Sequence, residues 1–145
     1  MSEQRRVDRG AIGRGALIGA GLILVISIAG AVIDRAVDDF DDSGWPVTIF
    51  LAILVAYAIA GWWAGRAAPA SPLTIGALAA LGAFAAWVPI RILIWAVRDD
   101  SKGLFSGDDA VFTIGGVFAN LVFAATLGMV GALVAARRAT GEVES

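Results

Sequence analysis

The chain offers chemistry few places to reside. The first is Arg91, set in Trp87-Val88-Pro89-Ile90-Arg91-Ile92-Leu93-Ile94-Trp95. A guanidinium with apolar residues on both sides is costly within lipid and marks a binding position there. Its planar fork of N–H donors matches carboxylate or phosphate. Pro89 lacks the N–H that a helix ladder needs, so a kink is expected just below the charge. Asn120 places a carboxamide in a second apolar run, and Asp34 closes a third. With a helix running to Val97, Arg91 lies about 9 Å below its end, and Asn120 lies about 15 Å below the end of a span starting at residue 110. Arg91 can then reach up to Asp34 or Asp38, or inward to Asn120. These residues together predict a small anion or head-group site. The plainer alternative ends the helix near Ile92, lets Arg91 snorkel to the interface, and makes Asn120 an interhelical hydrogen-bonding residue worth about 0.6–2 kcal/mol.

Asp39-Phe40-Asp41-Asp42-Ser43-Gly44 opens like a calcium loop, with Asp39, Asp41 and Ser43 as candidate metal ligands. Alternating oxygen donors and a Gly turn are what a hard cation needs. The twelfth position is Phe50 where a bidentate Glu belongs. A solvated acidic loop that holds divalent ions only loosely is the simpler expectation.

Catalysis has little to use. The sequence has no Cys and no His. Thiol and imidazole chemistry are thereby excluded, with disulfides and every Cys/His metal site. No phosphate-binding Gly loop and no carboxylate pair within an apolar run supplies another reaction. A non-enzymatic protein without a cofactor is expected. The net charge of −2 excludes a generally basic nucleic-acid binder. Ser27, Thr48, Thr74, Thr113 and Thr126 read as hydroxyls bonded back to their own helices. Tyr57 is a mid-span polar tip in need of a partner.

The elements that position these residues follow from where charge is missing. Of 145 residues 59% are apolar and only 17% charged, with a mean hydropathy of +0.81. Residues 15–33, 43–65, 67–90 and 110–136 contain no Asp, Glu, Lys or Arg. A helix needs about 20 apolar residues to cross about 30 Å of hydrocarbon. The reading is an all-α, polytopic membrane bundle of four transmembrane helices in one domain, residues 1–145. Spans are expected near 12–33, 46–66, 73–96 and 110–136, with short tails 1–11 and 137–145. A soluble bundle would need a polar stripe on each helix, and these runs have none. A cleaved leader with its site at Ala29-Gly30-Ala31 is the alternative for the first span, but that run exceeds the usual apolar core of a signal peptide.

Basic residues set the orientation. With the N-terminus inside, Arg5, Arg6, Arg9, Arg14, Arg66, Arg137 and Arg138 are cytoplasmic. Arg35, Arg91, Arg98 and Lys102 face out with most of the Asp residues. A multi-pass protein of the cell membrane with both termini cytoplasmic is therefore expected. Trp45 and Trp95 fall at the outer boundary, and Trp62 and Trp63 at the inner one, as an aromatic belt requires.

Small residues recur where helices must meet. Gly61-x-x-x-Gly65 follows Ala52, Ala56 and Ala60, while Gly116, Asn120, Ala124, Gly128 and Ala132 repeat every four residues in the last span. Such faces let backbones approach closely in lipid. Gly61, Gly65, Gly116 and Gly128 are expected at the packing face. The bilayer is the expected partner, with other membrane proteins or further copies of the chain on the outer faces. Each half runs basic end, helix, acidic loop, helix, basic end, and Ala31-Val32 before Asp34-Arg35 is echoed by Ala96-Val97 before Arg98-Asp99. This order fits a tandem hairpin repeat; the alternative is that any four-span chain with its N-terminus inside shows the same alternation.

The stretch Ala60-Gly61-Trp62-Trp63-Ala64-Gly65-Arg66, then a short Pro-containing turn and Leu73-Thr74-Ile75-Gly76-Ala77, resembles small four-span integral membrane proteins of bacteria. These are known mainly as uncharacterised families, many actinobacterial. The resemblance implies a four-span bundle and carries over no activity and no site residue. The functional expectation is an accessory or assembly subunit acting through helix–helix or lipid contacts. The alternative is a small transporter or channel component with an outward-facing site around Arg91, Pro89 and Asn120.

Overall fold

Four long helices account for nearly all of the described chain, and the residues at their ends explain where each begins. In the computed structural model, residues 8–68, 70–98, 103–107 and 110–141 are described. They form α1 (Arg9–Ala36), a 3-10 turn (Phe40–Asp42), α2 (Trp45–Ala67), α3 (Pro72–Arg98) and α4 (Ile114–Gly141). Asp8 caps α1 by accepting a 3.0 Å hydrogen bond from the Ala11 N–H. Ser43 Oγ accepts from the Trp45 N–H at the head of α2, where Pro46 tolerates the missing donor of a first turn. Pro72 opens α3 in the same way.

α1, α3 and α4 are longer than their uncharged segments, and α2 matches its own in length but is shifted to include Arg66. Lengths of 23 to 28 residues give about 35–42 Å of helix, against about 30 Å of hydrocarbon. The excess carries the charges. Asp34 and Arg35 sit in the last turn of α1, and Arg9 and Arg14 in its first half. All four helices are long and apolar enough to cross a membrane. One end of the bundle is acidic, holding the 34–42 connection, and the other is basic, holding Arg9, Arg66, Arg137 and Arg138. At the basic end the Arg138 guanidinium lies 5.0 Å over the Trp62 ring, tying α4 to α2.

The fourth helix starts later than its apolar run suggests. Residues 110–113, expected within the span, are loop. The Val111 and Phe112 N–H groups donate to the carbonyls of Gly103 and Leu104, both at 3.0 Å. Thr113 then acts as the cap: its Oγ1 accepts from the Gly116 N–H at 3.1 Å. Its hydroxyl is therefore not bonded back into a helix as expected, whereas that of Thr48 is, donating to Gly44 O at 3.0 Å.

Packing follows the small residues. α1 rests on α2 and α3, α4 rests on α2 and α3, and α2 touches α3 across the middle. The pair α1 and α4, which a twofold relation between the hairpins would match to α2 and α3, is not among the packed pairs. The hairpins are alike in charge order but unequally seated. The core is mostly alanine, including Ala56, Ala60, Ala64, Ala79, Ala80, Ala83, Ala124 and Ala132, and among the described residues the large side chains fully buried in it are Tyr57 and Ile23. Large apolar side chains point outward, with Leu17 74% and Ile114 93% exposed. Water would reverse that arrangement. In lipid it costs nothing, because tails solvate leucine as well as another helix does.

Backbones approach closely where Gly61, Gly76 and Gly128 meet, and where Gly131 stands against the Ala58 carbonyl. A Cβ on Gly61 would fall on the Gly128 carbonyl, and one on Gly128 would meet the Gly76 backbone. Gly65 stands against Ala132, where an added Cβ would lie 2.5 Å from the Ala132 Cα. On the other side Gly15 faces Ala60 and Ala79, and Gly19 faces Ala60 and Ala83. Gly116 differs from expectation. It is exposed in the first turn of α4, where an added Cβ would meet only the Thr113 hydroxyl. The fully buried small residues of α4 begin at Ala124.

Gly61→Ala should destabilise the full chain by about 1–3 kcal/mol in a detergent unfolding titration, since the methyl must separate two backbones. Gly13→Ala, with nothing within 4 Å of its added Cβ, should be neutral or stabilise by up to about 1 kcal/mol through helix propensity. Equal effects would contradict this packing.

Candidate functional site

At the acidic end the helices part around a cavity of about 570 Å³. Its walls are built by one helical rule, in which positions i, i+4 and i+7 share a face. α1 contributes Ser27, Ala31 and Asp34; α2 contributes Pro46, Ile49, Phe50 and Ile53; α3 contributes Trp87, Arg91 and Ile94. α4 contributes Asn120, and the two connections add Phe40, Asp41, Ala110 and Val111. The three residues singled out as a ligand site, Arg91, Asn120 and Asp34, thus line one space.

Their levels within it are set by the helix ends. α3 continues through Pro89 to Arg98, so it does not stop near Ile92, and Arg91 stands seven residues inside the end. That is about 10 Å along the axis. Asn120 is six residues inside the start of α4, about 9 Å, because that helix begins at Ile114 and not at residue 110. Arg91 and Asn120 therefore lie at nearly one level, with Asp34 nearer the rim. Asn120 Nδ2 donates to Gly116 O in its own helix at 3.0 Å, so this bond serves α4 and not a neighbour. Arg91, Asp34 and Asp41 are each engaged with neighbours, and Arg91 is an exposed side chain on the cavity wall.

The second connection is pinned by aromatic contacts. Phe112, only 7% exposed, meets the Trp87 ring edge-on at 5.5 Å. Phe105 stacks on Phe112 at 5.6 Å, and Phe84 on Trp87 at 5.7 Å. This ladder holds Ala110 and Val111 against the cavity. Gly107, with φ +108, makes the turn that lets the segment fold back.

The calcium-loop residues are arranged otherwise than the motif requires. Ser43 Oγ donates to Phe40 O and accepts from Trp45 N, so its hydroxyl serves the turn and the cap of α2. Asp39 adopts a left-handed conformation, φ 55, and Asp41 turns to the cavity. Among the described residues no three acidic groups gather as a metal site. Asp99, Asp100, Asp108 and Asp109 lie outside the described residues.

Ser27, Trp87 and Asp41 were not expected at the site. For Ser27 and Trp87 the signal was present: each precedes the chosen charge on its helix by seven or four residues, which is one face. Comparison with protein-family models, with curated proteins and with solved structures finds no match to this chain.

Below the cavity, one turn from Ile53 on the same face of α2, Tyr57 is fully buried, and its hydroxyl has no hydrogen-bond partner among the described residues. A buried hydroxyl left unsatisfied costs about 1–3 kcal/mol. Tyr57→Phe should therefore raise stability to detergent unfolding by about 1 kcal/mol. A loss of similar size would show that the hydroxyl is bonded in the membrane.

Proposed function

We propose that this chain is a non-enzymatic multi-pass protein of a bacterial plasma membrane, with both termini cytoplasmic, which acts by holding a phosphate-bearing head group in its acidic-end cavity. The orientation rests on the excess of Lys and Arg at the basic end, and it turns the cavity outward. The observation that carries the reading is the convergence of Arg91, Asn120 and Asp34 on one space walled by all four helices. Arg91 supplies the forked donor that phosphate recognition uses. The rim is polar and the depth, at Ile49, Ile53 and Trp87, is apolar, which suits an amphiphile.

An accessory or assembly subunit working only through its lipid-facing helices would have no use for such a cavity. A transporter or channel component would add passage to binding, and phospholipid flux across reconstituted vesicles separates holding from carrying.

The test loads full-length protein with polar lipid extract, washes it in mild detergent and assays bound phospholipid. Wild type should retain phospholipid stoichiometrically. Arg91→Ala should weaken retention about tenfold, the loss of one charge-assisted contact. Unchanged retention in a normally folded variant would contradict the reading and return the accessory role to first place.

A further inference from the structure

At the basic end two parallel helices form a seam with one side open to lipid. Gly61 of α2 meets Gly128 of α4 and Gly65 meets Ala132, so the two helices run side by side in the same direction. Gly128 and Ala132 also meet Gly76 of α3, which closes the inner side of the seam. Its outer side is marked by Gly131, set against the Ala58 carbonyl and the Trp62 backbone nitrogen. Arg138 lies seven residues beyond Gly131 on the same face of α4, and Arg66 lies one turn beyond Trp62 on α2. Both arginines are exposed.

Two features set this pair of cations apart from a simple orientation signal. The first is the posture of Arg138. An arginine at a membrane boundary ordinarily extends away from hydrocarbon into water. In register with α2, Arg138 stands past the last helical residue, Ala67, yet its guanidinium lies 5.0 Å over the Trp62 ring. The side chain is folded back toward the lipid and held there by the ring face. The ring attracts the charge but supplies no oxygen, so the forked N–H donors remain for a phosphate. The second feature is the absence of countercharge. α2 and α4 contain no Asp or Glu. The described carboxylate at this end, Asp8, caps α1. Glu142 and Glu144 follow α4 in the sequence and lie outside the described residues. Two guanidinium groups on one seam attract a phosphodiester and repel an ammonium. Toward mid-membrane, Val134 and Val130 lie one and two turns from Arg138 on its face of α4, 39% and 50% exposed, and form an apolar strip for an acyl chain.

We infer that the basic end of the α2–α4 seam binds an anionic phospholipid of the phosphatidylglycerol type from the adjoining leaflet, its phosphate held by Arg138 and Arg66 and its acyl chain along Val130 and Val134. Trp62 positions the Arg138 charge. The site is separate from the acidic-end cavity and does not depend on it.

Delipidated full-length protein in mild detergent is titrated with phosphatidylglycerol or phosphatidylethanolamine, and bound lipid is counted by native mass spectrometry. Wild type should bind phosphatidylglycerol at least about fivefold more tightly. Arg138→Gln and Arg66→Gln should each weaken phosphatidylglycerol about fivefold and leave phosphatidylethanolamine nearly unchanged. Arg138→Lys should lose less than Arg138→Gln, and Trp62→Leu, which keeps both charges, should cost about two- to fivefold. Glu142→Gln with Glu144→Gln should keep or raise the preference. Arg14→Gln, an exposed arginine on α1, and Arg91→Ala, in the opposite cavity, should leave the preference in place. Helical content and monodispersity are checked for each variant, and Arg138→Lys with Arg66→Lys replace any Gln variant that fails to fold. Equal binding of the two lipids by wild type, or a preference indifferent to Arg138 and Arg66, would overturn the inference. A loss from Arg14→Gln as large as that from Arg138→Gln would replace the seam with a diffuse basic collar. Displacement of the lipid by an equal concentration of soluble glycerophosphate would overturn the leaflet origin.

Discussion

Lipid gives helices no hydrophobic reason to associate, so this bundle depends on how closely backbones can approach. Close approaches gather where Gly61, Gly76 and Gly128 meet, with Gly131 on Ala58, Gly65 on Ala132 and Gly15 on Ala60 beside them. All of these contacts lie in the basic half. Toward the acidic end the inward positions become Ile53, Trp87, Asn120 and Arg91, which are too large for the same contact. The helices are drawn together at one end and held apart at the other. The cavity is the consequence of that gradient in side-chain size.

The same gradient decides where charge can be tolerated. A guanidinium at mid-bundle would need partners that an alanine core lacks. One placed seven residues inside α3 opens onto a space with two carboxylates and a carboxamide. The 103–112 connection completes that space by burying Phe112 on Trp87, a contact that contributes about 0.5–1.5 kcal/mol beyond its buried area. Deeper in the core, one turn below Ile53, Tyr57 carries a buried hydroxyl with no partner among the described residues.

Much of this was legible in residue types. The number of helices follows from uncharged runs, since nothing else in the chain could hold four such segments. Arg91, Asn120 and Asp34 stood out because each is a polar group at the edge of or within an apolar run, and the fold brings them to one cavity. What escaped is local competition. Hydropathy alone extends the last span to residue 110, but Thr113 caps a helix from Ile114, and Gly103 and Leu104 take the preceding N–H groups. The repeat of small residues at every fourth position hides that Gly116 lies beyond the contact face. The acidic loop fits a calcium motif in spacing, yet Ser43 is committed to the turn and to the start of α2. Side-chain hydroxyls choose between such roles through tertiary context, which spacing does not carry.

The bundle is closed at its basic half and open at its acidic half. Because the chain has no Cys, single-cysteine variants can read this directly with a membrane-impermeant maleimide on intact cells. The account predicts that Ser27→Cys, on the cavity wall, labels from outside, that Ala70→Cys, in the basic-end connection, labels only after permeabilisation, and that buried Ala80→Cys labels in neither. An unreactive Ser27→Cys alongside a reactive Asp38→Cys control would contradict the open cavity, and labelling of Ala70→Cys from outside would contradict the orientation.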